Sequence, residues 1–226
     1  MRALVGNREL RAMLAAAIAQ VRDGCDYLSQ LDSFGGDGDH GATMRRAMRE
    51  IEKTLAAHPD ANLSELLGHV GWALLGIDGG ATGPLLGSFF LGVADGVGDR
   101  ESLDTLSLAR AFEKGCARVQ TQTKAQPGDK TMLDALLPAL AALRASAEAG
   151  NDGPRALANA ADAAARGADA TRNWLPKFGK ARFSGERTRG HPDPGAASVA
   201  MIFAGFSAAM PASVPQPKTE PGATAD

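Results

Sequence analysis

Three aspartates, Asp32, Asp37 and Asp39, lie in the stretch LDSFGGDGDHGATM, interleaved with Gly35, Gly36, Gly38 and Gly41. Carboxylates this close repel one another unless a cation or bulk water sits among them. Mg²⁺ suits such a set, because it prefers hard carboxylate oxygens and shares the rest of its shell with water and substrate phosphates. On so glycine-rich a segment the three side chains can converge on one ion or bridge two. A solvated acidic turn is the competing reading, since Asp and Gly favour loops for conformational reasons alone. Two familiar motifs fail. GDGDHG, Gly36 to Gly41, matches the G-x-G-x-x-G dinucleotide pattern, but helical sequence precedes it and aspartates occupy two variable positions, where they oppose a pyrophosphate. An EF-hand begun at Asp37 would put Ala42 at the turn glycine and Met48 at the bidentate glutamate.

Other stretches suit an anion. GGATGP, Gly79 to Pro84, leads into helical sequence, whose first turn offers unpaired N–H groups and a positive dipole end, and Thr82 adds a hydroxyl. In DPGA, Asp193 is a candidate N-cap, Pro194 takes the first helical position and Gly195 leaves the amides accessible. Nearby, GKARFSGERTRG carries Lys180, Arg182, Arg187 and Arg189, cations that can meet phosphate oxygens or simply sit in water. A nucleotide with Mg²⁺ is the simplest ligand common to all these parts. The chain has no Walker A sequence and no DFG or HRD kinase set, so the design differs from both.

The elements that must position these residues read as helices. Ala and Leu dominate, and no segment alternates with period two. Apolar spacing predicts a first helix from Asn7, read as its N-cap, towards Leu28, and a second carrying Met44, Met48, Ile51 and Leu55 that stops before Pro59. A third follows Asn62, a fourth has Pro84 in its first turn, and a fifth follows Asp104. The sixth runs from Thr131 towards Glu148, the seventh from Pro154 to about Trp174, and the eighth from DPG to near Met210. Short connections suggest an all-α, antiparallel up-and-down bundle or barrel of eight helices. If direction alternates, the connections after helices one, three, five and seven emerge together: DSFGGDGDHG, IDGGATG, KAQPGDK and SGERTRGHPDPG. These hold most of the loop Gly, Asp and Pro, so one end of the bundle is expected to carry the site.

A length of 226 residues with 44% hydrophobic side chains can supply one substantial core. A single domain over 1–210 is expected, with the Pro-, Ala- and Thr-rich 211–226 as a disordered tail. A formal net charge of -2 gives no basic excess for nucleic acid or an anionic membrane. No stretch approaches ~18 uninterrupted apolar residues, so a cytoplasmic protein without a membrane span is expected. Cys25 and Cys116 lack metal-ligand spacing and read as buried reduced thiols. His58, His69 and His191, isolated from one another in sequence, need no functional role, and Trp72 and Trp174 are expected to pack in the bundle.

LDSFGGDGDHGATM, GGATGPLLGSFF, KAQPGDKTMLDAL and GERTRGHPDPGAAS resemble, in order and spacing, the motifs of the nucleotide-binding L subunit or domain of dihydroxyacetone kinases. The resemblance spans Leu31 to Ser198. It implies an eight-helix barrel binding ADP or ATP at one end through two Mg²⁺ ions, held by Asp32, Asp37 and Asp39. It also implies phosphate contacts from His40, Gly41, Ala42 and Thr43 and from Ala81 and Thr82, an adenine pocket lined by Met132, and completion of the site by Asp193, Pro194 and Gly195. Where many members carry Gly and Arg, this chain has Thr123 and Lys180, and where the family often has Asn it has Thr43. In such systems a partner K subunit holds dihydroxyacetone or a related ketose, and the L unit delivers the phosphoryl group. The donor is either ATP or a phosphocarrier M subunit of the phosphotransferase system. An erythrulose-type kinase subunit and a nucleotide-dependent regulatory module are the alternatives, and a homodimer is left open.

Overall fold

A computed structural model of the chain describes residues 5–210, so the stretch 211–226 read as a tail lies outside the described residues. The eight expected helices are present: α1 Asn7–Ser33, α2 His40–Ala57, α3 Leu63–Leu75, α4 Thr82–Val97, α5 Thr105–Gln122, α6 Leu133–Glu148, α7 Gly153–Ala170 and α8 Pro194–Ala208. Among the described residues the sole extended pairing is one antiparallel bridge between Val5 and Leu103. Among the described residues, no helix is long and apolar enough to cross a membrane.

Each helix packs on the next along the chain, and α1 packs on α8, so the bundle closes into a ring. At that closing seam a side chain on Gly205 would sit 2.4 Å from the Ala17 Cα, which is why the position has none. The inward faces form one continuous apolar core in which all eight helices take part. Phe112 lies at the centre of an aromatic cluster, with ring centroids 5.7 Å from Phe89, 6.1 Å from Phe203 and 5.9 Å from Phe206. Cys25 and Cys116 are buried free thiols, and burial pushes Cys116 up to about 11.

Several local expectations are corrected. Gly6, not Asn7, caps α1: the Glu9 carboxylate accepts the Gly6 N–H at 3.1 Å, and the Asn7 amide turns away to donate to the Ala61 carbonyl. Helix α1 runs past Leu28 because Leu31 continues its buried stripe, and it ends only where Gly35 and Gly36 fold back onto the Asp32 carbonyl. Asp32 therefore belongs to a helix and not to the loop. Helix α6 starts at Leu133, because Asp134 accepts the N–H groups of Gly128 and Thr131 and holds that segment as a turn. Helix α7 stops at Ala170, followed by a 3₁₀ turn over Thr171–Asn173. Trp72 is 67% exposed, because the buried face of α3 runs through Leu66, Leu67, Val70 and Leu74; Trp174 is half-buried. His58 and His69 are not isolated in space, since their rings stack at 3.8 Å.

Candidate functional site

The connections after α1, α3, α5 and α7 meet at one end of the ring around a cavity of about 430 Å³. Its wall includes Asp32, Asp37, Asp39, His40, Thr43, Ala81, Thr82, Thr123, Met132, Lys180, Asp193, Pro194 and Gly195. Gly41 and Ala42 are not on it. Gly41 has a packing reason instead: a side chain there would fall 1.9 Å from the Cys25 carbonyl of α1. Ala42 points outward, exposed. Of the four cations in the basic segment Lys180 alone reaches the cavity wall, while Arg189 pairs with Glu186 and Arg182 lies over the Phe183 ring at 4.5 Å.

Asp32 comes from the last turn of α1, Asp39 is the residue before α2, and Asp37 sits on the glycine-rich turn between them. One carboxylate oxygen from each lies within 4.8 Å of the others. Asp32 is a costly residue where it stands, because the C-terminal end of a helix already carries partial negative charge. The Lys180 ammonium meets Asp37; that pairing holds Asp37 below the usual carboxylate range and Lys180 above the usual amine range, with Asp39 and Asp32 adding to the pull on Lys180. A converging set of hard oxygen donors that already draws a cation fits Mg²⁺ by donor type.

Next to the carboxylates, the Ser198 hydroxyl donates to the Pro194 carbonyl at 2.9 Å, so it accepts from His40 Nε2 at 2.8 Å. With the proton on Nε2, the Nδ1 lone pair faces the Thr82 hydroxyl, 3.5 Å away. Burial lowers the His40 pKa below its ordinary value against the opposing pull of Asp32 and Asp39, which favours the neutral ring. The cap residues Asp39, Ala81 and Met132 make no side-chain bond to the first turns of α2, α4 and α6. At α8 the cap is made: Asp193 accepts the Ala196 N–H at 2.8 Å, and burial pushes its carboxyl up to about 7, against the stabilising N–H groups of Ala196 and Gly195.

Two residues on the wall lie outside the expected site. His191, for which the sequence suggests no role, stacks on Phe34 with centroids 3.4 Å apart. Lys130 is 4% exposed, has a backbone φ of 60°, and donates from Nζ to three carbonyls of the α7–α8 connection. Its place in GDKT was the available signal, because a lysine between a turn glycine and a helix start is well placed to bond neighbouring loops.

A closed ring of eight helices with carboxylates and open helix starts around one terminal cavity defines the class of protein: a helical barrel with its polar site at one end. The same fold occurs in the dihydroxyacetone kinase of C. freundii in complex with AMP-PNP and Mg²⁺, at a TM-score of 0.70 and 31% identity, covering 92% of this chain and 35% of that one. The DAK2 domain model matches residues 35–208, and the chain belongs to that family. It is 40% identical over 178 residues to the ADP-binding subunit DhaL of the PEP-dependent dihydroxyacetone kinase of Escherichia coli, covering 79% of this chain and 85% of that subunit. It is 34% identical to the L-erythrulose kinase of Pectobacterium atrosepticum, covering 87% of this chain but 34% of that enzyme. The resemblance to the kinase L subunit is thus shown at the level of the family, and the chain is a kinase component.

Proposed function

We propose that this chain is the phosphoryl-donating subunit of a dihydroxyacetone-type kinase, holding ADP or ATP with two magnesium ions and serving a short ketose bound on a partner K subunit. The observation that carries the reading is the convergence of Asp32, Asp37 and Asp39 beside helix starts that lack side-chain caps, all on one cavity. When bound, magnesium offsets the negative charge that builds on phosphoryl oxygens in a loose transition state. The protein supplies positioning and no nucleophile. The carboxylates hold the ions, the first turns of α2 and α4 with Thr43 and Thr82 orient the phosphate chain, and Met132 and the apolar wall take the base. Neutral His40, anchored by Ser198, holds Thr82 in register. Lys180 brings a positive charge to the same mouth as a point donor.

The likeness to a free-standing PEP-dependent subunit favours the mode in which ADP stays bound and is recharged by a phosphocarrier M subunit in the cytoplasm. Nucleotide content after extensive dialysis tests this: retained ADP is expected, and rapid exchange with ATP would oppose it. Phosphate transfer to dihydroxyacetone with the cognate K subunit is expected, and Asp37→Asn is expected to abolish it; full activity in that variant would sink the metal assignment. L-erythrulose belongs in the same assay, because the relative of that specificity matches most of this chain.

A further inference from the structure

The segment between α7 and α8 carries Lys180 to the cavity, and its attachment is unusual. Its two ends are tied to each other, Gly190 N donating to the Arg172 carbonyl and Asp193 N to the Thr171 hydroxyl, both at 2.8 Å. Its outer part rests on the aspartate loop, with the Ser184 hydroxyl on the Gly35 carbonyl at 2.9 Å and Lys180 on Asp37. Among the described residues, every hydrogen bond joining this segment to the α5–α6 connection comes from two adjacent residues, Asp129 and Lys130. Asp129 accepts the Lys177 ammonium at 2.7 Å on its side chain and the Lys177 N–H at 3.1 Å on its carbonyl. Lys130 Nζ reaches the carbonyls of Trp174 at 3.2 Å, Thr188 at 2.8 Å and His191 at 2.8 Å.

An ammonium has three donors, and here three backbone carbonyls from both ends of one loop take them all. Lys130 thereby has no donor to spare for a ligand, although it lies on the cavity wall. Being buried, it is expensive to keep charged, and desolvation lowers its pKa below the ordinary amine value while Asp193 opposes the shift. A charge held at that cost in a loop neck has a positioning use.

We propose that Asp129 and Lys130 form a clasp that fixes the neck of the α7–α8 segment, and so sets where Lys180 and the Asp193 helix start stand relative to the aspartates. Lys130 is a positioning residue acting through the Trp174, Thr188 and His191 carbonyls. The consequence for nucleotide rests on the function proposed above; the clasp itself does not.

The test compares Lys130→Met, which keeps the stem without donors, with Lys130→Arg, which restores them, and with Asp129→Asn. Trypsin cleavage after Lys177, Lys180, Arg182, Arg187 and Arg189 reports the segment, and cleavage after Arg100, in the connection at the other end of the ring, is the internal control. Lys130→Met is expected to speed cleavage in 177–189 relative to Arg100 by about tenfold, and to weaken Mg²⁺–ADP binding by a similar factor, because misplacing a positioned group by about 1 Å can cost a hundredfold. Lys130→Arg should recover most of both effects. Unchanged cleavage in Lys130→Met, or equal acceleration at Arg100, would overturn the clasp. If Lys130→Met does not fold, Asp129→Asn decides by the same ratio. If the wild-type chain binds no Mg²⁺–ADP, the functional reading fails while the cleavage ratio still decides the clasp.

Discussion

The two ends of the ring are built from the same kinds of residue and differ in how most of their helix starts are capped. At the end away from the cavity, α3, α5 and α7 begin at Asn62, Asp104 and Asp152, and each side chain accepts a backbone N–H from the first turn. At α1 the Glu9 carboxylate accepts the N–H of the preceding residue Gly6, and the Arg11 guanidinium donates to the Leu55 and Pro59 carbonyls at 3.1 and 2.9 Å after α2. At the cavity end the residues that precede α2, α4 and α6 supply no side-chain cap, although the His40 N–H of α2 donates to the Asp32 carboxylate at 3.4 Å and the Leu133 N–H of α6 to the Thr131 hydroxyl at 3.3 Å. An uncapped start forgoes about 1 kcal/mol. The start of α4 and the rest of the first turn of α2 keep backbone donors available to an anion, and the far end shows that this sequence can make caps where it needs them.

The largest effect expected on this contrast comes from Asp32→Asn. Even outer-shell changes at metal sites cost 10- to about 100-fold in affinity, so loss of a ligand should weaken Mg²⁺-dependent ADP binding by at least about 100-fold in calorimetric titration. Stability should hold or rise by about 0.5 kcal/mol, because the change removes a like charge from a trio and an anion from a helix C-terminus. A variant that loses stability and keeps affinity would make the carboxylates structural. Asp193→Asn probes the cavity end's own capped helix. The folded pKa of about 7 lies above the unfolded value, so wild-type stability from this group is full below about pH 4 and is lost as pH rises towards 7. Asn cannot titrate, so the unfolding free energy of wild type relative to the variant, from denaturant titrations at each pH, should fall over that window by on the order of 3 kcal/mol. Parallel profiles would mean that the carboxyl is not desolvated on the cavity wall.

The fold was legible in the sequence because its signals are local and redundant. Leu66, Leu67, Val70 and Leu74 mark a buried face whatever surrounds them, Asn62 and Asp104 mark helix starts, and alternation of short connections places the four polar loops together. What remained hidden depends on contacts between distant segments. For Gly41 the resemblance implies a phosphate contact, while the packing reason for its missing side chain, the Cys25 carbonyl on the neighbouring helix, is visible only in the fold. Trp72 is expected to pack in the bundle, yet it falls off the apolar stripe of α3. Lys130 has only its place in GDKT as a local signal, since the carbonyls it binds lie 44 to 61 residues downstream in an irregular loop. Most residues with candidate chemical roles were therefore readable, and the residues that hold them in place were not.

A smaller effect than the aspartate change is expected at Ala81→Asp, which puts a carboxylate at an open helix start. It should weaken ADP binding by about tenfold through repulsion at the positive dipole end, with stability level or slightly higher. Unchanged affinity would remove the start of α4 from the anion site.

Asp152→Ala should give the smallest change and is the cleanest control on the division between ends. The Asp152 carboxylate accepts the Arg155 N–H at 3.0 Å, and Pro154 already occupies the first turn of α7. Deleting the cap strands one donor that water can reach, so the cost should be about 1 kcal/mol, or roughly 2–4 °C in melting temperature for a domain of this size. Affinity for Mg²⁺–ADP should stay at the wild-type value, because α7 starts at the far end and meets the cavity only through the segment that follows it. If affinity fell together with stability, tension would be passing along α7 into the clasped connection beyond Thr171. The two ends would then be a single coupled unit, and the open starts at the cavity could no longer be assigned to ligand binding alone.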